Sequence, residues 1–151
     1  METLQKNPQI IWKNEGKKLN VLGHDVTVKL KSEDTNDSYV FEVITPAGNG
    51  IPPHVHQDED EVIYVQSGEF EVMIGGDVFR ASGGEYLNFI RHVPHAFRNV
   101  GSLPGKTLWF VNPGKKFEAF FEELGALPAG PPNLENVARI FGKYGMTILQ
   151  Q

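Results

Sequence analysis

A chain of 151 residues with 40% hydrophobic side chains is one ordinary domain with enough apolar mass for a real core, and the absence of cysteine excludes disulfides and thiolate metal ligands. A formal net charge of −5, with basic residues gathered only into the pairs Lys17-Lys18 and Lys115-Lys116, argues against gripping a phosphate backbone, so nucleic acid is not an expected partner. No uncharged apolar run is long enough to span a bilayer and the start, Met1 to Pro8, has no apolar signal core, so the expectation is a soluble, cytoplasmic protein with no membrane partner.

From residue 19 onward strand signals recur at short spacing, with Gly, Pro and Asn between them: 19–30, 39–45, 62–66, 69–74, 78–81, 86–90, 95–100 and 107–112. Such a series reads as a β-sandwich or barrel. Within the first span, Leu22-Gly23-His24-Asp25 looks like a turn, which puts His24 at the surface. Side chains alternate across a strand, so if Glu42 faces water, Tyr39, Phe41 and Val43 turn inward. Pro52 and Pro53 favour extended backbone before His54-Val55-His56, and two histidines two residues apart on a strand share a face. Gln57-Asp58-Glu59-Asp60 reads as the polar turn that reverses the chain into Glu61 and the apolar run behind it. If Glu61 points inward, so do Ile63 and Val65.

Ser67-Gly68 and Gly75-Gly76-Asp77 are hairpin connections, where glycine supplies positive φ, and between them Phe70 and Val72 alternate with Glu69 and Glu71. His92 falls in the loop before Pro94 and is expected at the surface. An inward His95 brings Phe97 and Asn99 with it and turns Arg98 out. Leu108-Trp109-Phe110-Val111 is apolar throughout, so alternation does not assign the facing of Trp109. Two helices follow. Phe117, Phe120, Phe121 and Leu124 make one face, with Gly125 placed as a C-terminal cap; Asn133 is a good N-cap for a second helix with Leu134, Val137, Ala138 and Phe141 on its apolar side. Both are expected to pack over the outside of the β-structure.

His54, His56, Glu61 and His95 therefore point into one interior. Neutral imidazole suits zinc, copper, iron and nickel, while a carboxylate adds hard character and one negative charge. Three histidines and one glutamate thus make a mixed site for one divalent transition metal, whether iron, nickel, manganese, copper or zinc. Such a set leaves coordination positions open, as catalytic sites do and structural sites do not. The wall around it is expected to be apolar and partly aromatic: Tyr39, Phe41, Val43, Ile63, Val65, Phe70, Val72, Phe97 and Asn99.

The order Gly48, five residues, His54-Val55-His56, four residues, Glu61, six residues, Gly68, then Gly84, His95 and Asn99, resembles the two motifs of the cupin superfamily. The first matches without a gap. In the second the usual proline position holds Ile90 and the usual glycine position holds His92, and only fifteen residues separate Gly68 from Gly84, similar to compact single-cupin proteins of microbes. The stretches 68–72 and 94–100, Pro113 with 117–125, and the tail ending in Lys143-Tyr144-Gly145 resemble single-domain cupins often labelled quercetinase-like.

That resemblance implies an all-β fold, a double-stranded β-helix or small jelly-roll barrel with one or two short C-terminal helices outside. It would form one domain over 1–151, with the barrel at about 19–113 and the helical segment at about 115–145. It also implies a homodimer. The activity it implies is that of a metal-dependent oxidoreductase, a quercetinase-like dioxygenase taking a small aromatic or enolic hydroxy ketone and dioxygen. Glu61 then serves both as ligand and as catalytic proton acceptor. Two alternatives stand beside it: a redox-neutral isomerase or decarboxylase of a sugar or small acid, and a binding or sensing module without turnover.

Overall fold

Buried and less buried side chains alternate along most of the strands over 39–112, the strand over 77–82 excepted, and that alternation closes two antiparallel sheets onto each other. The computed structural model describes residues 8–149; the expectation for the first seven residues lies outside them. The elements are β1 (Lys17–Val21), β2 (His24–Leu30), β3 (Tyr39–Thr45), β4 (Gly50–His56), β5 (Asp60–Ser67), β6 (Glu69–Ile74), β7 (Asp77–Ser82), β8 (Tyr86–Phe89), β9 (His95–Asn99), β10 (Gly105–Asn112), α1 (Lys115–Gly125), α2 (Leu134–Lys143) and β11 (Met146–Ile148). One sheet runs β1-β2-β3-β10-β5-β8 and the other β11-β4-β9-β6-β7. The fold is the expected all-β jelly roll with two C-terminal helices.

Tyr39, Phe41 and Val43 of β3, Ile63 and Val65 of β5, Phe70 and Val72 of β6 and Phe97 of β9 all face inward, as alternation requires. Each fully buried Val, Ile or Phe contributes about 1.5–3 kcal/mol relative to leaving it in water. Trp109 joins them: its ring stacks on Phe41 at 5.6 Å and its indole N–H donates to Thr107 Oγ1 at 2.8 Å.

The span read as one strand over 19–30 is a hairpin. Leu22 (φ 51°) and Gly23 (φ 86°) form a two-residue connection with both φ positive, so His24 opens β2 instead of sitting in the turn. Strand β11 was not anticipated at all, being three residues long. It pairs Met146 with His56 and Ile148 with His54, which covers the free edge of β4.

The face of α1 is as expected, but Gly125 is its last helical residue and not a left-handed cap. Its missing side chain lets β1 approach, since a Cβ there would stand 3.2 Å from Leu19 Cδ2. In α2 the Asn133 side chain accepts from the Asn136 N–H at 3.0 Å, the expected cap. Its buried stripe is Val137, Ile140 and Phe141. Leu134, 77% exposed, and Ala138 stay in water, because the packed surface starts one turn later than the sequence pattern suggested.

Candidate metal centre

Strand β4 delivers His54 and His56 to the same inward face, the β4–β9 register sets His95 opposite His54, and β5 brings in Glu61 as its first inward residue. All four are buried. One nitrogen from each histidine lies within 4.8 Å of one from each of the others. His54 Nε2 stands 3.1 Å from His56 Nε2, and Glu61 reaches His56 Nε2 at 3.2 Å and His95 Nε2 at 3.6 Å.

The opposite side of each ring explains why Nε2 faces the centre. His54 Nδ1–H donates to the Pro52 carbonyl at 2.8 Å and His95 Nδ1–H to the Val93 carbonyl at 3.2 Å. His56 Nδ1 meets the Glu59 carboxylate at 3.2 Å. With Nδ1 occupied in all three rings, the lone pairs on Nε2 converge. Buried polar atoms almost always have hydrogen-bond partners, yet His95 Nε2 and Glu61 Oε2 have none among the described residues. Two orphaned, buried groups of these types, aimed at a third and fourth, fit a divalent cation.

The protonation pattern follows from crowding. Burial, reinforced by His95 and His56 alongside, pushes His54 down to about 3. Burial also opposes charge on His56, but Glu61 and Glu59 outweigh it and raise the imidazole above its usual range. Burial likewise opposes the Glu61 carboxylate, yet His56 and His95 hold it below the usual range. The 3.6 Å gap between Glu61 and His95 is an electrostatic contact, too long for a hydrogen bond.

Beside these groups lies a cavity of about 30 Å³, lined by His54, His56 and Glu61 on one side and by Trp109, Phe117, Phe120, Phe121 and Phe141 on the other. The helices therefore do more than cover the barrel's exterior: α1 and α2 supply most of the aromatic wall over the histidines. The nine wall residues expected from alternation are all buried, but they fill the barrel, and none of them lines this cavity. Val43 and Phe97 border an adjoining void of about 20 Å³. Asn99 is a clamp: its amide donates to the Thr45 and Leu103 carbonyls at 3.0 and 2.9 Å and accepts from the Gly101 N–H.

Two acidic or basic groups were misplaced by sequence reasoning. His24 is buried, accepting from Thr45 Oγ1 at 3.0 Å and donating from Nε2 to the Gly50 carbonyl at 3.3 Å, and burial lowers its pKa. A surface turn was the natural reading because the hairpin displaces it by one position. Glu59 is buried as well, in a stretch read as a solvated turn. No compositional signal marks it; its neighbours Gln57 and Asp58 are exposed as the pattern suggested, and Asp60 is half-buried. His92 is exposed as expected. It holds a left-handed φ of 69°, the position where cupin motifs usually carry glycine, tied down by its N–H to the His56 carbonyl at 2.8 Å and by Nε2–H to the Gln57 carbonyl at 3.0 Å.

Comparison with known proteins agrees with this architecture. The cupin domain family matches residues 40–111. Over 98 residues the chain is 31% identical to quercetin 2,3-dioxygenase of Bacillus subtilis (strain 168), a match taking in 62% of this chain and only 28% of that protein. Among solved structures, a predicted oxalate decarboxylase from Thermotoga maritima superposes with a TM-score of 0.62 at 19% identity, over 68% of this chain and 97% of that one. An RmlC-like cupin from Shewanella frigidimarina gives 0.63 at 16% identity, over 76% and 99%. At those identities the two structures speak for the fold alone.

Proposed function

We propose, from a chain that carries a cupin domain and resembles the quercetinase-like cupins, that it is a metal-dependent oxidoreductase acting with dioxygen on a small aromatic or enolic hydroxy ketone. His54, His56, His95 and Glu61 would hold the metal. When bound, the metal supplies Lewis acidity, which lowers the pKa of a coordinated hydroxyl. Glu61 is the carboxylate that lines the cavity, and it takes the proton released from a substrate hydroxyl.

The observation that carries this reading is the composition of the cavity: candidate metal-ligating groups at one end, four phenylalanines and a tryptophan together with Val21, Leu22, Ile51, Leu124 and Met146 elsewhere, and among the described residues no lysine or arginine in its lining. A sugar acid would need a cation there. Arg80 and Arg98 face solvent and Arg91 is paired with Asp60 at 3.0 Å, which weighs against the redox-neutral alternative. The phenylalanine rings offer flat faces for an aromatic substrate and exclude water from the reacting hydroxyl. A 30 Å³ space holds a diatomic or a water or two but no flavonol, so productive entry requires α1 and α2 to shift.

Metal analysis of the purified chain, followed by oxygen uptake with a panel of flavonols and diketones, tests the proposal. Uptake that requires the bound metal is the expected result. Aromatic binding without turnover would make the protein a sensing module, and metal-dependent conversion without oxygen consumption would favour the redox-neutral reading. We also propose a homodimer, with a second copy covering the outer face of the six-stranded sheet, where Val62 and Phe110 are register neighbours and each 39% exposed.

A further inference from the structure

His54 and His95 are steered by backbone carbonyls, whereas His56 is steered by an ionisable side chain. That side chain is Glu59, three residues on in sequence and wholly buried, with Oε2 3.2 Å from His56 Nδ1. Its other oxygen, Oε1, has no hydrogen-bond partner. A chain folding for stability alone gains little from this arrangement, because a buried carboxylate with an unmatched oxygen is unfavourable and an apolar residue of similar size would pack as well. The surrounding turn does not need Glu59 either. Arg91 donates to Asp60 from its backbone N–H and its guanidinium, and the His92 N–H donates to the His56 carbonyl, so the turn between β4 and β5 is already fixed.

We propose that Glu59 is a positioning residue for the metal centre. It holds His56 with Nδ1 protonated so that Nε2 is presented to the cation, and its negative charge makes His56 the strongest donor of the three. The inference rests on the metal-binding reading of His54, His56, Glu61 and His95. A carboxylate behind a ligating imidazole raises its basicity, and losing such a partner typically lowers metal affinity about 10–100-fold. The expected signature is thus a loss of metal affinity on removing the carboxylate that goes beyond whatever stability the Glu59–His56 contact lends the metal-free fold.

The test uses the full chain stripped of metal, as wild type, Glu59→Gln and Glu59→Met. Co(II) and Zn(II) are titrated in competition with a chromophoric chelator, the visible d–d bands of the Co(II) forms are recorded, and the melting temperature of each metal-free protein is measured. Glu59→Gln keeps an acceptor for Nδ1–H and loses the charge; Glu59→Met loses both. The expected order of affinity is wild type, then Gln, then Met, spanning about 10–100-fold, with shifted d–d bands; the metal-free melting temperatures report separately what the Glu59–His56 contact adds to the fold. Unchanged affinity and bands in the variants overturn the positioning role while leaving the metal site standing. Lower metal-free melting temperatures with unchanged affinity show a structural residue only. A wild type that binds no metal overturns both this inference and the reading beneath it. Should neither variant fold, ¹⁵N NMR of the Zn(II)-loaded wild type decides: a protonated Nδ1 on His56 is expected, and a metal-bound Nδ1 overturns the proposal.

Discussion

His54 and His56 stand 3.1 Å apart on one strand face yet are driven in opposite directions, and the contrast is measurable. In an unfolded chain both titrate near 6.5. Between that value and about 3 the unfolded chain binds a proton at His54 that the folded chain does not, so metal-free stability falls with pH by about 1.4 kcal/mol per unit. Glu61, held below its usual value, has the same sign in acid. His56 acts oppositely: its raised pKa contributes stability that is complete below 6.5 and lost as pH rises through the folded value. The melting temperature of the metal-stripped protein should therefore peak at about pH 6–7 and fall on both sides. A profile flat from acid to neutral pH would mean that these side chains are not buried together. At this scale the sequence told much, because period-two alternation and the His-x-His spacing place the four candidate ligands in one interior without any three-dimensional information. Glu59 and His24 escaped because their burial depends on contacts across the fold, with His56 in one case and with Thr45 and Gly50 in the other.

Elements carry a different part of the account. The apolar face of α1 was legible from 3.6-residue periodicity and that of α2 only in Val137 and Phe141, but which side of the barrel they cover was not, since a hydrophobic stripe does not name its partner. In the structure Phe120 packs edge-on to Phe141 at 4.9 Å, and Phe141 in turn lies edge-on to His54 at 5.9 Å. Truncating Phe120 to Ala should destabilise the protein by about 3–5 kcal/mol. It should also enlarge the space beside the histidines, so that an aromatic alcohol too large for the wild-type cavity binds the variant more tightly. Chemical denaturation and ligand-induced melting shifts check both halves; stability loss with no gain in ligand binding would place the aromatic wall elsewhere. Loop geometry resisted sequence reasoning for a related reason. The left-handed backbone at His92 is possible because the His56 and Gln57 carbonyls hold it, and those partners come from a segment 35 residues away.

For the whole molecule, the recurrence of strands at short spacing was enough to expect a barrel, and the motif spacing was enough to expect this barrel. What the chain does with its outer surface was not written there. Val62, Phe110 and Tyr86 belong to one sheet and are each partly or largely exposed, and the proposed second copy would cover them. Light scattering at micromolar concentration should report twice the chain mass, and Phe110→Lys should halve it without lowering the content of β-structure. A wild-type monomer would remove the dimer from the account and leave the metal centre untouched.

Everything functional depends on one cation held between two sheets. A crystal grown without added metal, with anomalous data collected across the transition-metal edges, addresses it directly. The expected result is a single peak about 2.0–2.2 Å from Nε2 of His54, His56 and His95 and from a Glu61 oxygen, with the absorption edge naming the ion. An interior without a peak, in a protein shown to retain no metal after incubation with zinc, nickel, iron, manganese or copper, would contradict it.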